Sequence, residues 1–305
     1  MQIKAEQKFS LKGHQASVYA LSSSPWPDIV FSGGADKLIS AWNIREGVNH
    51  PFLVRFPSAV YSVCYIPEKN LLLAGTSTGS IHILDLNEKA EIKILQLHTA
   101  PVFDIRYSRI QQCFYSSGGD GNFAVCSLAD LQMLRIRKLS SGKLRQMDIN
   151  AGESILALAS GEGNVHILNL ETFQEEYVLK AHQLGANAVR FHPSGKTLLT
   201  GGKDAYLKVW DPEQDYSLIH SIAAHNYAVY RILFNPEGTL FASASRDKTV
   251  KIWNGTTFEL LLRINREKQG GHASSVNTLL WHRETNRLIS AGDDRSILIW
   301  DIVQS

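Results

Sequence analysis

His14, His98, His182, His225 and His272 are each followed 22 residues later by an aspartate, namely Asp36, Asp120, Asp204, Asp247 and Asp294. Four of these aspartates are followed six residues on by Trp42, Trp210, Trp253 and Trp300, and the same register falls on Leu84, Cys126 and Leu168 between them. The histidine register therefore advances in steps of 42, 42, 42, 42, 43 and 47 residues. A unit that short cannot bury a core alone, so each must stack on its neighbours. The repeat overrides the two-domain expectation that 305 residues would otherwise raise, and one domain over residues 1–305 is expected.

Within the first unit the apolar runs are short and alternating: Ser17–Ser22, Ile29–Ser32, Leu38–Trp42 and Phe52–Phe56. Alternation with period two is the pattern of half-buried strands. Turn formers separate the runs, as in Ser24–Asp28 (SPWPD), Ser32–Lys37 (SGGADK), Pro193-Ser194-Gly195 and Pro236-Glu237-Gly238. No run carries the 3.6-residue spacing of helical repeats of similar length. The expected fold is all-β, a seven-bladed β-propeller of four-stranded antiparallel blades. Few residues follow Trp300-Asp301, whereas Gln7–Lys12 stand before the first histidine where a fourth strand belongs. The N-terminal strand is therefore expected to complete the last blade and close the ring.

The units resemble the Trp-Asp repeats of the WD-repeat β-propeller family over essentially the whole chain. Gly13-His14 and Gly271-His272 are intact Gly-His pairs, and Trp210-Asp211 and Trp300-Asp301 intact Trp-Asp pairs. Elsewhere the pairs drift to Ala181-His182, Ala224-His225, Trp42-Asn43 and Trp253-Asn254. The resemblance implies a buried hydrogen-bonded set in each unit: a loop histidine, a Ser or Thr of the second strand, an aspartate and a tryptophan. The matching positions are His14, Ser32, Asp36 and Trp42; His182, Thr200, Asp204 and Trp210; His225, Ser243, Asp247 and Trp253; and His272, Ser290, Asp294 and Trp300. The third unit keeps His98, Ser116 and Asp120 but has Cys126 in place of tryptophan. The second and fourth depart, with Phe56 and Thr78, then Ser140 and Glu162, at the histidine and aspartate positions. They keep the period and end in similar strands, Ser80–Leu86 (SIHILDL) and Asn164–Leu170 (NVHILNL), so packing and neighbours are expected to hold them.

Five His–Asp pairs with adjacent serines invite a catalytic or metal reading. A catalytic or metal centre needs its groups to converge, whereas these recur once per blade around a ring, so the structural reading is preferred. No P-loop, HExxH, paired zinc cysteines or dinucleotide fingerprint occurs. Gly118-Gly119-Asp120-Gly121 is a turn without the following helix that would hold a phosphate, and His82 and His166 stand singly in strands. Neither an enzyme, a cofactor nor a metal is expected. With a formal net charge of +2, the chain carries no general demand for nucleic acid, and no apolar run approaches signal-peptide or membrane-span length. Cys64, Cys113 and Cys126 lie in apolar runs without short pairing and read as reduced core thiols, which suits a cytoplasmic location.

The resemblance also implies a partner-binding face, made of the loops before each innermost strand and the turns that carry each aspartate. The second residue of the innermost strand gives Tyr19, Tyr61, Phe103, Arg145, Asn187, Tyr230 and Asn277. The residue before the aspartate gives Ala35, Ser77, Gly119, Gly161, Lys203, Arg246 and Asp293. Tyr19, Tyr61 and Phe103 form an aromatic arc, and Arg145, Lys203 and Arg246, with Lys143 nearby, a basic one. That composition suits a protein or peptide with an apolar anchor next to acidic residues. The expected function is thus a non-enzymatic interaction module or scaffold. Alternatives are an enzyme at the channel mouth, where Asp293 is the only acid among these positions, and weak nucleic-acid binding through the basic arc. The aromatics could also simply plug the mouth. The longer loop Asn265–Gly271 lies on the same face, either as a lip over the site or as a tolerated insertion.

Overall fold

Short strands alternate with tight turns throughout the computed structural model, which describes residues 3–304. The turns repeat one backbone demand. The residue after each aspartate position has a left-handed conformation: Lys37, Ala205, Lys248 and Arg295 at φ 68°, 68°, 71° and 66°, and Gly79, Gly121 and Gly163 at 90°, 78° and 96°. Glycine meets that demand without a side-chain clash, and the other residues meet it at a small cost. At Gly163 a Cβ would also lie against the His182 carbonyl.

The described residues form seven four-stranded antiparallel sheets, and the fold is a seven-bladed β-propeller. Blades 1 to 6, at residues 18–55, 60–96, 102–138, 144–180, 186–223 and 229–264, each use four consecutive strands. Blade 7 joins Val276–His282, Arg287–Gly292 and Ser296–Gln304 to the N-terminal strand Ile3–Lys12. Ile3 pairs with Gln304 and Lys12 with Ser296, and the register shifts between Gln7 and Phe9. The N-terminal strand thus completes the last blade.

Two compact units make up the chain: Met1–Val60 with His225–Ser305, and Tyr61–Ala224. In each, the core lies between neighbouring blades, because both faces of the second strands are apolar and every residue of Ile29–Gly34, Leu71–Thr76 and Leu240–Ser245 is buried. In the first unit, Leu240, Ile252 and Ile264 of blade 6 pack with Leu288, Leu298 and Trp300 of blade 7, and Val30 and Trp42 of blade 1 pack with Ile289 and Ile299. In the second unit, Leu73 and Ile83 meet Phe114 and Cys126, Tyr115 and Phe123 meet Leu144 and Leu156, and Ala157 and Ile167 meet Val189 and Trp210. Each such side chain contributes ~1.5–3 kcal/mol through burial, which makes blade stacking the largest stabilising term.

Polar stitches cross the same interfaces. The Asp104 carboxylate accepts the Met147 N–H at 2.9 Å, and Asp148 accepts the Phe191 N–H and the Arg190 guanidinium, each at 2.8 Å. These bonds satisfy inner-strand groups that the next blade cannot pair.

One expectation needs correction. The fourth strand of blade 1 is Val48–Arg55, not Phe52–Phe56; its residues are exposed or half-buried, so the apolar signal at its start is faint, and Phe56 lies beyond it in the next loop. The extended loop also contains a helical turn, Arg266–Gln269. The Asn265 side chain caps it by accepting the Lys268 N–H at 2.9 Å, and Gly270 at φ 73° ends it.

Removal of residues 1–12 should expose the Ser296–Gln304 edge and uncover Trp300. The expected result is a steep fall in melting temperature or aggregation, followed by scanning fluorimetry and light scattering. A truncated chain that melts like the full one would refute the stabilising role of this pairing.

Candidate functional site: the loop ends of the blades

The loops before the innermost strands are fastened from beneath by buried polar sets. In blade 1, His14 Nδ1 lies 2.8 Å from Asp36, His14 Nε2 lies 2.7 Å from Ser32 Oγ, and Trp42 Nε1 donates to that hydroxyl at 2.7 Å. Blade 5 repeats this with His182 to Asp204 at 2.9 Å, His182 to Thr200 at 3.0 Å and Trp210 to Thr200 at 3.0 Å. The corresponding distances are 2.9, 2.7 and 2.9 Å for His225, Asp247, Ser243 and Trp253, and 3.0, 2.8 and 2.8 Å for His272, Asp294, Ser290 and Trp300. The proton order follows from chemistry. An indole N–H can only donate and a carboxylate can only accept, so Trp donates to the hydroxyl, the hydroxyl to Nε2, and Nδ1–H to Asp. In this order each hydroxyl is committed to both neighbours.

The carboxylates also hold the loops directly. Asp36, Asp120, Asp247 and Asp294 accept the N–H of Gln15, Thr99, Asn226 and Ala273 at 3.0, 2.9, 3.0 and 2.7 Å. Burial lowers the pKa of His98, His182 and His225, outweighing the neighbouring aspartates, which act the other way. For Asp247 and Asp294 burial would raise the pKa. The hydrogen bond and charge of the histidine, with a neighbouring hydroxyl and a backbone N–H, together hold each below the usual carboxylate range.

Three blades solve the problem differently. Blade 3 keeps His98 to Asp120 at 3.2 Å and His98 to Ser116 at 2.8 Å, with fully buried Cys126 in the tryptophan's place. In blade 2, Phe56 is buried where the histidine would be. Blade 4 retains a link across the same two positions, because Ser140 Oγ donates to Glu162 at 2.8 Å and Ser141 Oγ donates to the same carboxylate. Sequence reasoning missed a further pairing in these two blades: His82 Nδ1 lies 2.5 Å from Glu91, and His166 Nδ1 lies 2.5 Å from Glu175. The available signal was the shared nine-residue spacing on the only two blades without a loop histidine.

The candidate face residues fall into two groups, one on each unit. On residues 61–224, the Tyr61 and Phe103 rings meet edge to face at 5.5 Å and 89°, and the Arg145 guanidinium lies 4.2 Å above the Phe103 ring. Two members of the expected aromatic arc and one of the basic arc thus join in one stack. All three side chains are half-buried; Asn187 is buried, and Lys143 and Lys203 are exposed. On the other unit, Asn277 Nδ2 donates to Asp293 at 2.7 Å and to the Val18 carbonyl at 3.1 Å, while Arg246 lies 5.8 Å from the Tyr227 ring. Tyr19 and Tyr230 are half-buried there. Of the residues before the aspartates, Ala35, Ser77, Gly119 and Gly161 are half-buried, and Arg246 and Asp293 are exposed. Leu184 and Tyr227, 65% and 59% exposed, were not anticipated. Both stand two residues after the loop histidine, where the other units have Ala16, Ser58, Ala100, Gly142 and Ser274.

Among the described residues no three His, Cys, Asp or Glu side chains are grouped to hold a metal, and no helix is long and apolar enough to cross a membrane. The three cysteines are free and buried, and burial pushes the Cys64 and Cys126 thiols up to about 12.

The family model described as WD domain, G-beta repeat matches residues 5–43, 173–211, 216–254 and 265–301, half of the chain. These stretches carry the four complete sets. The chain is similar to a THO complex subunit 6 homolog of Danio rerio, 26% identical over 50% of the chain and 53% of that protein. It is also similar to eukaryotic translation initiation factor 3 subunit I of Anopheles gambiae, 23% identical over 66% of the chain and 65% of that protein. A third relative is guanine nucleotide-binding protein subunit beta-like protein 1 of Mus musculus, 29% identical over 46% of the chain and 44% of that protein. The matched part therefore spans less than two thirds of each relative.

Asp204→Ala strips His182 of its acceptor and should lower unfolding free energy by ~1–3 kcal/mol. Glu162→Ala should cost less, because Glu162 and one of its two partners, Ser141, are exposed and Ser141 can turn to water. Urea denaturation compares the two, and equal losses would contradict the difference between the blades. Stability should also depend on pH in a definite sense. With the pKa values of His98, His182 and His225 lowered by folding, the unfolded chain takes up protons first as pH falls through about 6.5, so the urea midpoint should decline there and again below about 4 as Asp120, Asp247 and Asp294, whose pKa values folding lowers, titrate. A flat profile from pH 7.5 to 5 would contradict the lowering of these three histidines by burial.

Proposed function

The chain belongs to the WD domain, G-beta repeat family, and from that premise we propose that it is a non-catalytic interaction module that holds a peptide or loop of a partner protein on the loop ends of blades 2 to 5. The observation that carries this reading is the stack of Tyr61, Phe103 and Arg145, supplied by three consecutive blades. Rings held in place by one another bury area with little further loss of entropy, as interface anchors do. An apolar or aromatic side chain of the partner rests on this stack, with Leu184 extending the apolar surface. Acidic residues of the partner pair with Arg145, Lys143 and Lys203.

Two relatives are named as subunits, of a THO complex and of a translation initiation factor, which favours a role within an assembly. The serine and threonine hydroxyls of the polar sets are committed and buried, so they serve the scaffold and not a reaction. Three unpaired buried cysteines suit a reducing compartment such as the cytoplasm.

Affinity capture with the full chain, beside a Phe103→Ala variant, identifies partners that depend on the stack. With such a partner, Tyr61→Ala or Phe103→Ala should each weaken binding by ~2 kcal/mol or more, with the melting temperature nearly unchanged. Lys203→Glu should slow association and alter its salt dependence. Wild-type affinity in all three, read by calorimetry, would move the interface elsewhere.

A further inference from the structure

Blades 2 and 4 place their histidines on the third strand, His82 opposite Ala74 and His166 opposite Leu158, in the same register. Both imidazoles are buried, at 4% exposure, and both give Nδ1 to a glutamate of the fourth strand at 2.5 Å. With the proton on Nδ1, Nε2 is left as an acceptor that needs a donor. In blade 2 the donor is at hand: Ser80 Oγ lies 3.1 Å from His82 Nε2 and 2.7 Å from Thr76 Oγ1. The Ser80 hydroxyl thus bridges the second and third strands.

The matching positions in blade 4 are Ser160 for Thr76 and Asn164 for Ser80. Ser160 still offers a hydroxyl, but the bridging serine has gone. Ser160 Oγ and His166 Nε2 are both buried, and neither has a hydrogen-bond partner among the described residues. A hydroxyl and a ring nitrogen without partners thus stand at the two positions whose counterparts in the sister blade are bridged by one hydroxyl. Buried polar groups without a protein partner are the ones that internal water serves.

We propose that blade 4 binds one buried water molecule, which donates to His166 Nε2 and accepts from Ser160 Oγ. It makes the two bonds that the Ser80 hydroxyl makes in blade 2. The ligand must be small and neutral and both donor and acceptor. No group of three acidic, cysteine or histidine side chains stands there to hold a metal among the described residues. The water ties together the second and third strands of the blade whose loop carries Lys143 and Arg145. The inference does not rest on the proposed function.

A crystal structure of the full chain, at a resolution that shows ordered solvent, tests it. The expected result is a density peak within about 3.2 Å of both Ser160 Oγ and His166 Nε2. Absence of the peak, or an Asn164 carboxamide turned inward to make both bonds, overturns the proposal. In Asn164→Ser the new hydroxyl should displace the water, so the peak disappears while the melting temperature is kept or raised. A peak that persists beside the inward-facing hydroxyl of that variant, or a lowered melting temperature, counts against it. Should the variant fail to fold, the wild-type density still decides.

Discussion

Each blade is a sheet with two apolar faces, and no such sheet can stand in water alone. From this single constraint the rest of the structure follows. The second strands are buried along nearly their whole length, so any polar group that enters a blade must find its partner inside the blade or on the next one. The chain answers with ordered hydrogen-bond relays. Trp42 donates to Ser32, Ser32 to His14 and His14 to Asp36, and Asp36 holds the Gln15 N–H at the surface. A relay that begins in the core thus ends by fixing a surface loop, which couples packing to the geometry of the candidate site.

The divergent blades show that the constraint is satisfaction, not a particular residue. Phe56 replaces a hydrogen-bonded imidazole with buried rings, and burial of an aromatic side chain contributes ~1.5–3 kcal/mol, comparable with the hydrogen bonds lost. His82 and His166 move the imidazole from the loop to the third strand and take their carboxylates from the fourth, as Glu91 and Glu175. Loop and core are uncoupled there. The loop of blade 4, with Lys143 and Arg145, is held instead by Ser140 and Ser141 on Glu162.

Much of this was legible in the sequence because the period is set by local rules. The 22-residue interval from His14 to Asp36 spans two strands and their turns, and Trp42 lies six residues on because the third strand must return beneath Ser32. The closing strand was legible from the missing fourth strand after Trp300. What stayed hidden was of two kinds. Outer strands such as Val48–Arg55 pair along one edge and are largely solvated, so their apolar pattern is weak and their limits were misplaced. Pairings that join neighbouring blades, Asp104 to Met147 and Asp148 to Phe191, link residues 43 apart with no fixed motif, and the Arg145–Phe103 stack joins residues of different strands in the same way. Leu184 and Tyr227 escaped because an apolar residue in a polar loop is unremarkable until its exposure is known.

The division of labour within each loop explains where sequence freedom lies. The aspartate, the histidine and the following N–H are all bonded to one another, so variation there disturbs the fold. The residue just before the aspartate takes no part in the relay, and its position reads Ala35, Ser77, Gly119, Gly161, Lys203, Arg246 and Asp293, from small to cationic to acidic. The second residue of each innermost strand is equally unconstrained by the relay and carries Tyr61, Phe103 and Arg145. Each blade thus presents two variable positions, and in the five blades with a loop histidine the chemistry of the loop ends can change without altering the hydrogen bonds that hold them.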